Sequence, residues 1–378
     1  MNSNPIVWSI PVFIVLIFIE ILVDRVRGGA DYRVNDAVTS ISCGIGEQVT
    51  GVFLRVFVVA LYEALYEKHA LFSIPVNAGS WLALFLWVDF LYYWFHRLSH
   101  EVNLMWAGHV VHHQSEEYNL STALRQSSTQ KVFSFAFYLP LAVLGFSPNQ
   151  FLMVYSLVIL YQFWIHTRLI KRLGFFETFL NTPSHHRVHH GVNPKYLDKN
   201  HGGTLIVWDK LFGTFQAEEE EPVYGTTKAS GSFNPLWLNA EVYAGLFGEC
   251  LRVKGFRARL TRLFGRPGAG IAPVEVLSRE KYDPACPVPL RIHVLIQFLV
   301  VLAGVSWFLN FHSRFTTLEK FGFAGFLIWS IVSLGAVLDR SRWAIASECL
   351  RVGALLTGVL LPLDFWVSQV SLMLGGFQ

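Results

Sequence analysis

Apolar runs long enough to cross a bilayer recur along this chain, and no other feature restricts its fold as much. A spanning helix needs about 20 predominantly apolar residues. Of the 378 residues, the stretches 6–23, 45–66, 80–95, 294–311, 321–338 and 350–374 approach or reach that length. The second carries Glu47, Arg55 and Glu63, and the last is broken by Pro362 and Asp364. Residues 132–165, broken at Pro140, Gly145 and Pro148, have room for a helical hairpin whose arms are short enough to be re-entrant. The first run lacks the basic start and small-residue cleavage site of a secretory signal and reads as a retained span. At 53% hydrophobic and 15% charged residues, with 32 Phe and 12 Trp, the composition also exceeds soluble norms. These patterns predict an all-α, polytopic integral membrane helical bundle.

Short cytoplasmic loops carry an excess of Lys and Arg. Arg25, Arg27 and Arg33 follow the first span and Arg97 the third. Lys171, Arg172, Arg252, Lys254, Arg257, Arg259, Arg262 and Arg266 crowd a polar segment from about residue 166 to 291. Alternating spans put all of these on one side, read as cytoplasmic, and leave Lys68, Arg314 and Lys320 on the other. A net charge of only +3, with no basic tract interleaved with aromatics, argues against a nucleic-acid partner. Cys43, Cys250, Cys286 and Cys349 lie far apart, in no disulfide or metal pattern. Residues 218–221 are four consecutive acids and read as a solvated loop without chemistry.

On that polar side, ten of the fourteen histidines fall between residues 91 and 190. His96 and His100 are four apart. His109, His112 and His113 form His-x-x-His-His, and His186, His189 and His190 repeat it directly after His185. Residues three and four apart share a helix face, so each group can aim several imidazole nitrogens at one spot. A lone pair of this kind is ordinarily structural, but two copies of the triple motif beside a third pair point to metal. Eight to ten histidines without a nearby cysteine are too many for one ion and unlike a closed structural zinc site. Nitrogen coordination with open positions suits iron that activates dioxygen and leaves zinc hydrolysis open. Trp87, Tyr92, Tyr93, Trp94, Phe95 and Trp106 around the ligands favour a hydrophobic substrate entering from the bilayer. Asp89, two helical turns before His96, is placed to accept the second ring N–H of a ligand. A metal transporter or sensor is the non-enzymatic alternative, disfavoured because the histidines cluster at helix ends.

The runs DFLYYWFHRLSHEVNLMWAGHVVHHQSEEYNLSTALRQS at 89–127, YQFWIHT at 161–167 and NTPSHHRVHHGVNPKYLDKNHGGTLIVWDKLFGTF at 181–215 resemble the fatty acid hydroxylase and sterol desaturase superfamily. With VYGTTKASGSFNPL at 223–236, they are most similar to the alkylglycerol monooxygenases within it. The resemblance covers residues 81–236. It implies a diiron centre held by His96, His100, His109, His112, His113, His186, His189 and His190, with His166 as a ninth ligand. His185 would point about 100 degrees away from His186 and takes a supporting or structural role, with Asp89, Asn119, Asn200, Trp208 and Asp209. His201 is left out of the site, and no pterin-binding residue can be picked. The implied reaction is oxygen insertion beside the ether oxygen of an alkylglycerol lipid, with dioxygen, two iron ions and electrons from a tetrahydropterin. Within the superfamily, hydroxylation, desaturation or C-methyl oxidation of a sterol, fatty acyl chain or amino-lipid is the alternative. The implied organisation is membrane spans at 1–78, the diiron domain at 79–240, a basic cytosolic connection at 241–290 and further spans at 291–378. The membrane would be a bacterial inner membrane or the endoplasmic reticulum.

Overall fold

A computed structural model describes residues 5–268 and 280–359. The described residues are helical, with two isolated β-bridges and no strand. Helix α1 (Pro5–Val26) presents Val12, Val15, Phe18 and Leu22 outward, the apolar exposure that lipid accommodates. Helix α2 (Val34–His69) is 36 residues long and begins well before the predicted run. Its first half buries Asn35, Asp36, Thr39, Ser40, Ser42 and Glu47, polar groups that a lipid-facing surface would exclude. Helix α3 (Ala78–Glu101) starts at a reciprocal cap, where Ser80 N–H donates to Asn77 Oδ1 at 3.0 Å and Asn77 N–H donates to Ser80 Oγ at 3.1 Å.

One extended residue, Val102 (φ −123°, ψ 118°), separates α3 from α4 (Asn103–His113). That break turns α4 back on α3, so the His96–His100 face meets the His109–His113 face. A four-residue helix α5 (Leu120–Ala123) leads to the hairpin of α6 (Gln130–Leu144) and α7 (Pro148–Trp164). Gly145 closes α6 at φ +103°, a left-handed turn in which a Cβ would meet the Phe72 carbonyl oxygen at 2.0 Å. At 1.5 Å per residue these arms are about 22 and 25 Å long, short of the ~30 Å hydrocarbon core. Helices α8 (Pro183–His189) and α9 (Val207–Phe212) punctuate the polar segment, and α10 (Pro235–Arg252) and α11 (Phe256–Phe264) follow it.

The C-terminal unit comprises α12 (Val288–Phe311), α13 (Thr317–Leu338) and α14 (Ala344–Val359). It does not stand apart. Val294, Val301, Val305, Leu327 and Ile331 share one buried cluster with Val38, Ile45 and Val49 of α2. A second cluster joins α2, α3, α6 and α7 through Tyr62, Leu84, Val88, Tyr138, Leu141 and Phe151. Helix α2 thus belongs to both cores. Among the described residues, Val34–His69, Val288–Arg314 and Thr317–Leu338 are long and apolar enough to cross a membrane, and the chain is an integral membrane protein. The predicted run at 350–374 lies largely outside the described residues.

Candidate metal centre

Each His-x-x-His-His motif divides between two sites. On α4, His109 and His113 are one turn apart and join His96, His100 and His189; the intervening His112 points to the other side and joins His166, His186 and His190. Helix α8 and its C-cap mirror this, sending His186 and the capping His190 to the second group and His189 to the first. Within each group the ligand atoms lie within 4.8 Å of one another, and all nine histidines are buried. The groups abut, with the His113 and His190 rings stacked at 4.4 Å.

Hydrogen bonding on the far side of the rings sets which nitrogen faces inward. The Nδ1–H of His96 donates to the His201 carbonyl (2.8 Å), that of His109 to Gln130 Oε1 (2.9 Å) and that of His112 to the Arg125 carbonyl (2.9 Å). His166 donates likewise to the Gln162 carbonyl (2.7 Å) and His189 to the Lys199 carbonyl (2.9 Å). A ring whose Nδ1 carries the proton presents a bare Nε2 lone pair. Those Nε2 atoms converge: His96 and His109 at 3.0 Å, His166 and His112 at 3.3 Å. Two lone pairs facing each other cannot hydrogen-bond and repel unless a cation lies between them. The Nε2 atoms of His100, His189 and His190 are buried with no partner at all. This donor set fits metal ions, and imidazole suits iron as it does zinc, copper and nickel. Burial and the neighbouring imidazoles push His112, His113, His186, His189 and His190 well below the usual histidine range. Burial takes His109 down to about 3 and His166 to about 4. The rings stay neutral, as ligands must be.

The supporting residues act through the loop after α8. Asp89 does not reach a ligand ring, contrary to the sequence expectation. Its carboxylate accepts from Thr204 N–H (2.7 Å), Leu205 N–H (3.1 Å) and Trp208 Nε1–H (2.9 Å), and the carbonyl of His201 takes the His96 proton instead. Asp209 accepts from the N–H groups of His201 and Gly202, each at 2.7 Å, and from Thr214 Oγ1. Asp198 and Asn200 both adopt positive φ (55° and 56°), a conformation short Asn and Asp side chains tolerate. Asn200 Nδ2–H donates to the carbonyls of His185 and Gln216. This fixed loop delivers the Lys199 and His201 carbonyls to His189 and His96. Asn119 caps α5 and donates to the Asp31 carbonyl, away from the rings. His185 belongs to neither group and packs edge-on against Phe215.

Sequence reasoning missed three features. His201 is fully buried with its ring centroid 5.1 Å from His100 and 5.6 Å from His189, and neither ring nitrogen has a partner. It stands eleven residues past the last motif, so no helical spacing marks it. Glu218, part of an acidic run whose sequence predicts a solvated loop, instead holds Arg187 through Nε (2.6 Å) and Nη2 (2.7 Å), bracing α8. Gln130 and Gln162 are polar residues at the ends of apolar runs, a signal that went unused. A cavity of about 280 Å³ reaches His109, His112 and His166 and opens between α1, α2, α6, α7 and α12.

Residues 81–214 match the fatty acid hydroxylase family. The chain is 39% identical over 350 residues to alkylglycerol monooxygenase of Xenopus tropicalis, covering 90% of this chain and 78% of that protein. To alkylglycerol monooxygenase of Homo sapiens it is 39% identical over 353 residues, covering 90% and 79%. Ornithine lipid hydroxylase of Rhizobium tropici is more distant, 27% identical over 51% of this chain and 54% of its own. No solved structure matches the chain. Similarity running beyond the histidine motifs through nine-tenths of the sequence places this membrane protein in the alkylglycerol monooxygenase family.

Proposed function

We propose that this chain oxidises an O-alkylglycerol lipid at the carbon attached to the ether oxygen, using two iron ions bound by the nine grouped histidines. The observation that carries the reading is the contact between both histidine groups and one cavity open toward the apolar helices. Bound iron would supply dioxygen activation and oxidation of an unactivated C–H bond, which side chains cannot perform. One oxygen atom of O₂ enters the C–H bond and the other leaves as water, with two electrons supplied by a tetrahydropterin. The resulting hemiacetal falls apart to a fatty aldehyde and a glycerol derivative.

The protein's part is to position and to exclude water. Tyr92, Phe163 and the imidazole floor hold the reacting carbon in an apolar site, and Tyr92 Oη–H donates to Gln162 Oε1 (2.6 Å), keeping its own polar atom off the substrate. Asp89, Asn200, Trp208 and Asp209 keep the carbonyl-bearing loop in place behind the rings. In this reading residues 79–240 form the catalytic domain, the segments 1–78 and 291–378 seat it in the bilayer, 241–290 connect them, and the histidine face is cytoplasmic by its excess of Lys and Arg.

The test is iron-loaded protein in lipid with a 1-O-alkylglycerol, oxygen and tetrahydropterin, read as fatty aldehyde by mass spectrometry. Aldehyde formation that requires all components is expected. Its absence with a fully iron-loaded protein, or oxidation of a sterol or acyl chain instead, overturns the ether reading. His112→Ala and His189→Ala, one from each group, should each abolish turnover and lower bound iron while the protein still inserts.

A further inference from the structure

Outside the metal-binding groups, the most unusual feature of the cavity is a charge pair with a buried carboxylate and a half-buried ammonium. Glu47 of α2 is only 6% exposed and forms an ion pair with Lys131 of α6, and both line the cavity. Gln48 Nε2–H donates to Glu47 Oε2 at 2.7 Å, and Gln48 Oε1 is buried without a partner. Ionisable groups inside a membrane bundle are costly to bury and mark substrate paths. Here the pair completes no helix cap and touches no ligand ring.

The walls of the cavity are mixed, with charge concentrated at one place. Glu47, Gln48, Lys131 and Ser134, from α2 and α6, make a polar patch beside Ile41 and Ile45 of α2. The α1 and α12 walls are apolar apart from Ser306, with Ile14, Ile17, Leu302, Val305 and Leu309, and α7 adds Phe163 next to Gln162. His109, His112 and His166 form the floor. An amphiphile placed in such a space aligns its own polar–apolar boundary with the floor. In an O-alkylglycerol that boundary is the ether bond.

We infer that Glu47 and Lys131 form a head-group subsite that takes the two hydroxyls of a neutral glycerol, with the alkyl chain leaving between α1, α7 and α12. The inference rests on the proposed ether-lipid reading and adds the class of head group. A carboxylate beside an ammonium offers one acceptor and one donor to a vicinal diol, and the free Gln48 oxygen offers a second acceptor. A phosphate head would set its charge against Glu47. The volume, about 280 Å³, is at the lower end of small-molecule sites, suited to a glycerol and the first methylenes with the tail emerging into lipid. Glu47 lies outside residues 81–214, the part matching the hydroxylase family, and Lys131 lies inside it. The head-group pair therefore joins a helix added around the histidine core to one that belongs to it.

The test is binding by iron-loaded, full-length protein in nanodiscs, without oxygen or reductant, measured by calorimetry. Three probes are used: a 1-O-alkylglycerol, the analogue lacking both hydroxyls, and the alkylglycerol phosphate. Wild type should favour the diol over each of the others by at least about tenfold, since a site built to bond hydroxyls discriminates against their absence. Glu47→Gln and Lys131→Met should each weaken the diol about tenfold and leave the hydroxyl-free analogue within about twofold, and Glu47→Gln should improve the phosphate relative to the diol. Lys131→Arg should retain the preference. Should either single variant misfold around its unpaired charge, the double variant Glu47→Gln/Lys131→Met carries the same expectation. Equal diol affinity in wild type and the double variant overturns the subsite, as does an equal loss for the hydroxyl-free analogue. Diol selectivity without any ether oxidation would sink the reaction and leave the subsite standing; oxidation with unchanged selectivity would do the reverse.

Discussion

At the scale of single residues, the centre depends on atoms that never meet the metal. Asp209 collects two N–H donors from the loop that carries the His201 carbonyl and the Thr214 hydroxyl from beyond α9. Removing it leaves buried N–H groups without partners, at ~1–3 kcal/mol each. Asp209→Ala should lower the melting temperature and weaken iron retention about 10–100-fold, the usual effect of losing a group that orients ligands; competition with a chelator measures it. Protons compete for the same nitrogens. Histidine in an unfolded chain titrates near about 6.5, whereas burial lowers His109 to about 3 and His166 to about 4. As pH falls below about 6.5 the unfolded chain takes up protons that the fold refuses, so stability intact above that value declines until pH reaches 3 to 4. The chelator-stripped protein should lose melting temperature steadily from pH 7 to 4.5, and the iron-loaded protein should begin its decline at lower pH. A flat profile for the stripped protein would refute the buried, neutral state of these rings.

At the scale of elements, close approaches between helices and loops hold the two histidine groups in register. Gly44 of α2 packs against the end of α5, where a Cβ would lie 2.2 Å from the Leu124 carbonyl oxygen. The next residue, Arg125, holds His112 through its carbonyl and donates Nε–H to the Val111 carbonyl at 2.8 Å. Gly44→Ala must push α2 and this segment apart, at a cost of ~1–3 kcal/mol for overpacking. The change should lower thermal stability and reduce iron in the His112 group more than in the other, measured by metal content and Mössbauer site ratios. Equal retention in both groups would show that the α2–α5 contact does not position His112. The Val102 elbow serves the same end between α3 and α4, turning two amphipathic faces toward each other with one extended residue.

At the scale of the whole molecule, the histidine core and the lipid-facing helices meet at one cavity, and α2 links them by sharing both apolar clusters. Val305, 6% exposed, lies on the apolar side. Val305→Trp should leave metal content intact and shorten the alkyl chain accepted, read as a drop in turnover of long-chain relative to short-chain ethers. Unchanged chain-length preference would place the tail elsewhere. The membrane class, the hairpin at 132–165 and the grouping of the eight motif histidines were legible in the linear chain, because apolar length and three- and four-residue spacing are properties of individual helices; His166 stood out only through the family resemblance. The division of each His-x-x-His-His motif between two sites, the turn of Asp89 toward the 204–208 loop, the burial of His201 and the pairing of Glu47 with Lys131 were not. Each depends on partners brought together by packing, across as many as 119 residues for Asp89 and Trp208. Local periodicity decides which face a side chain occupies; only the assembled helices decide what that face meets.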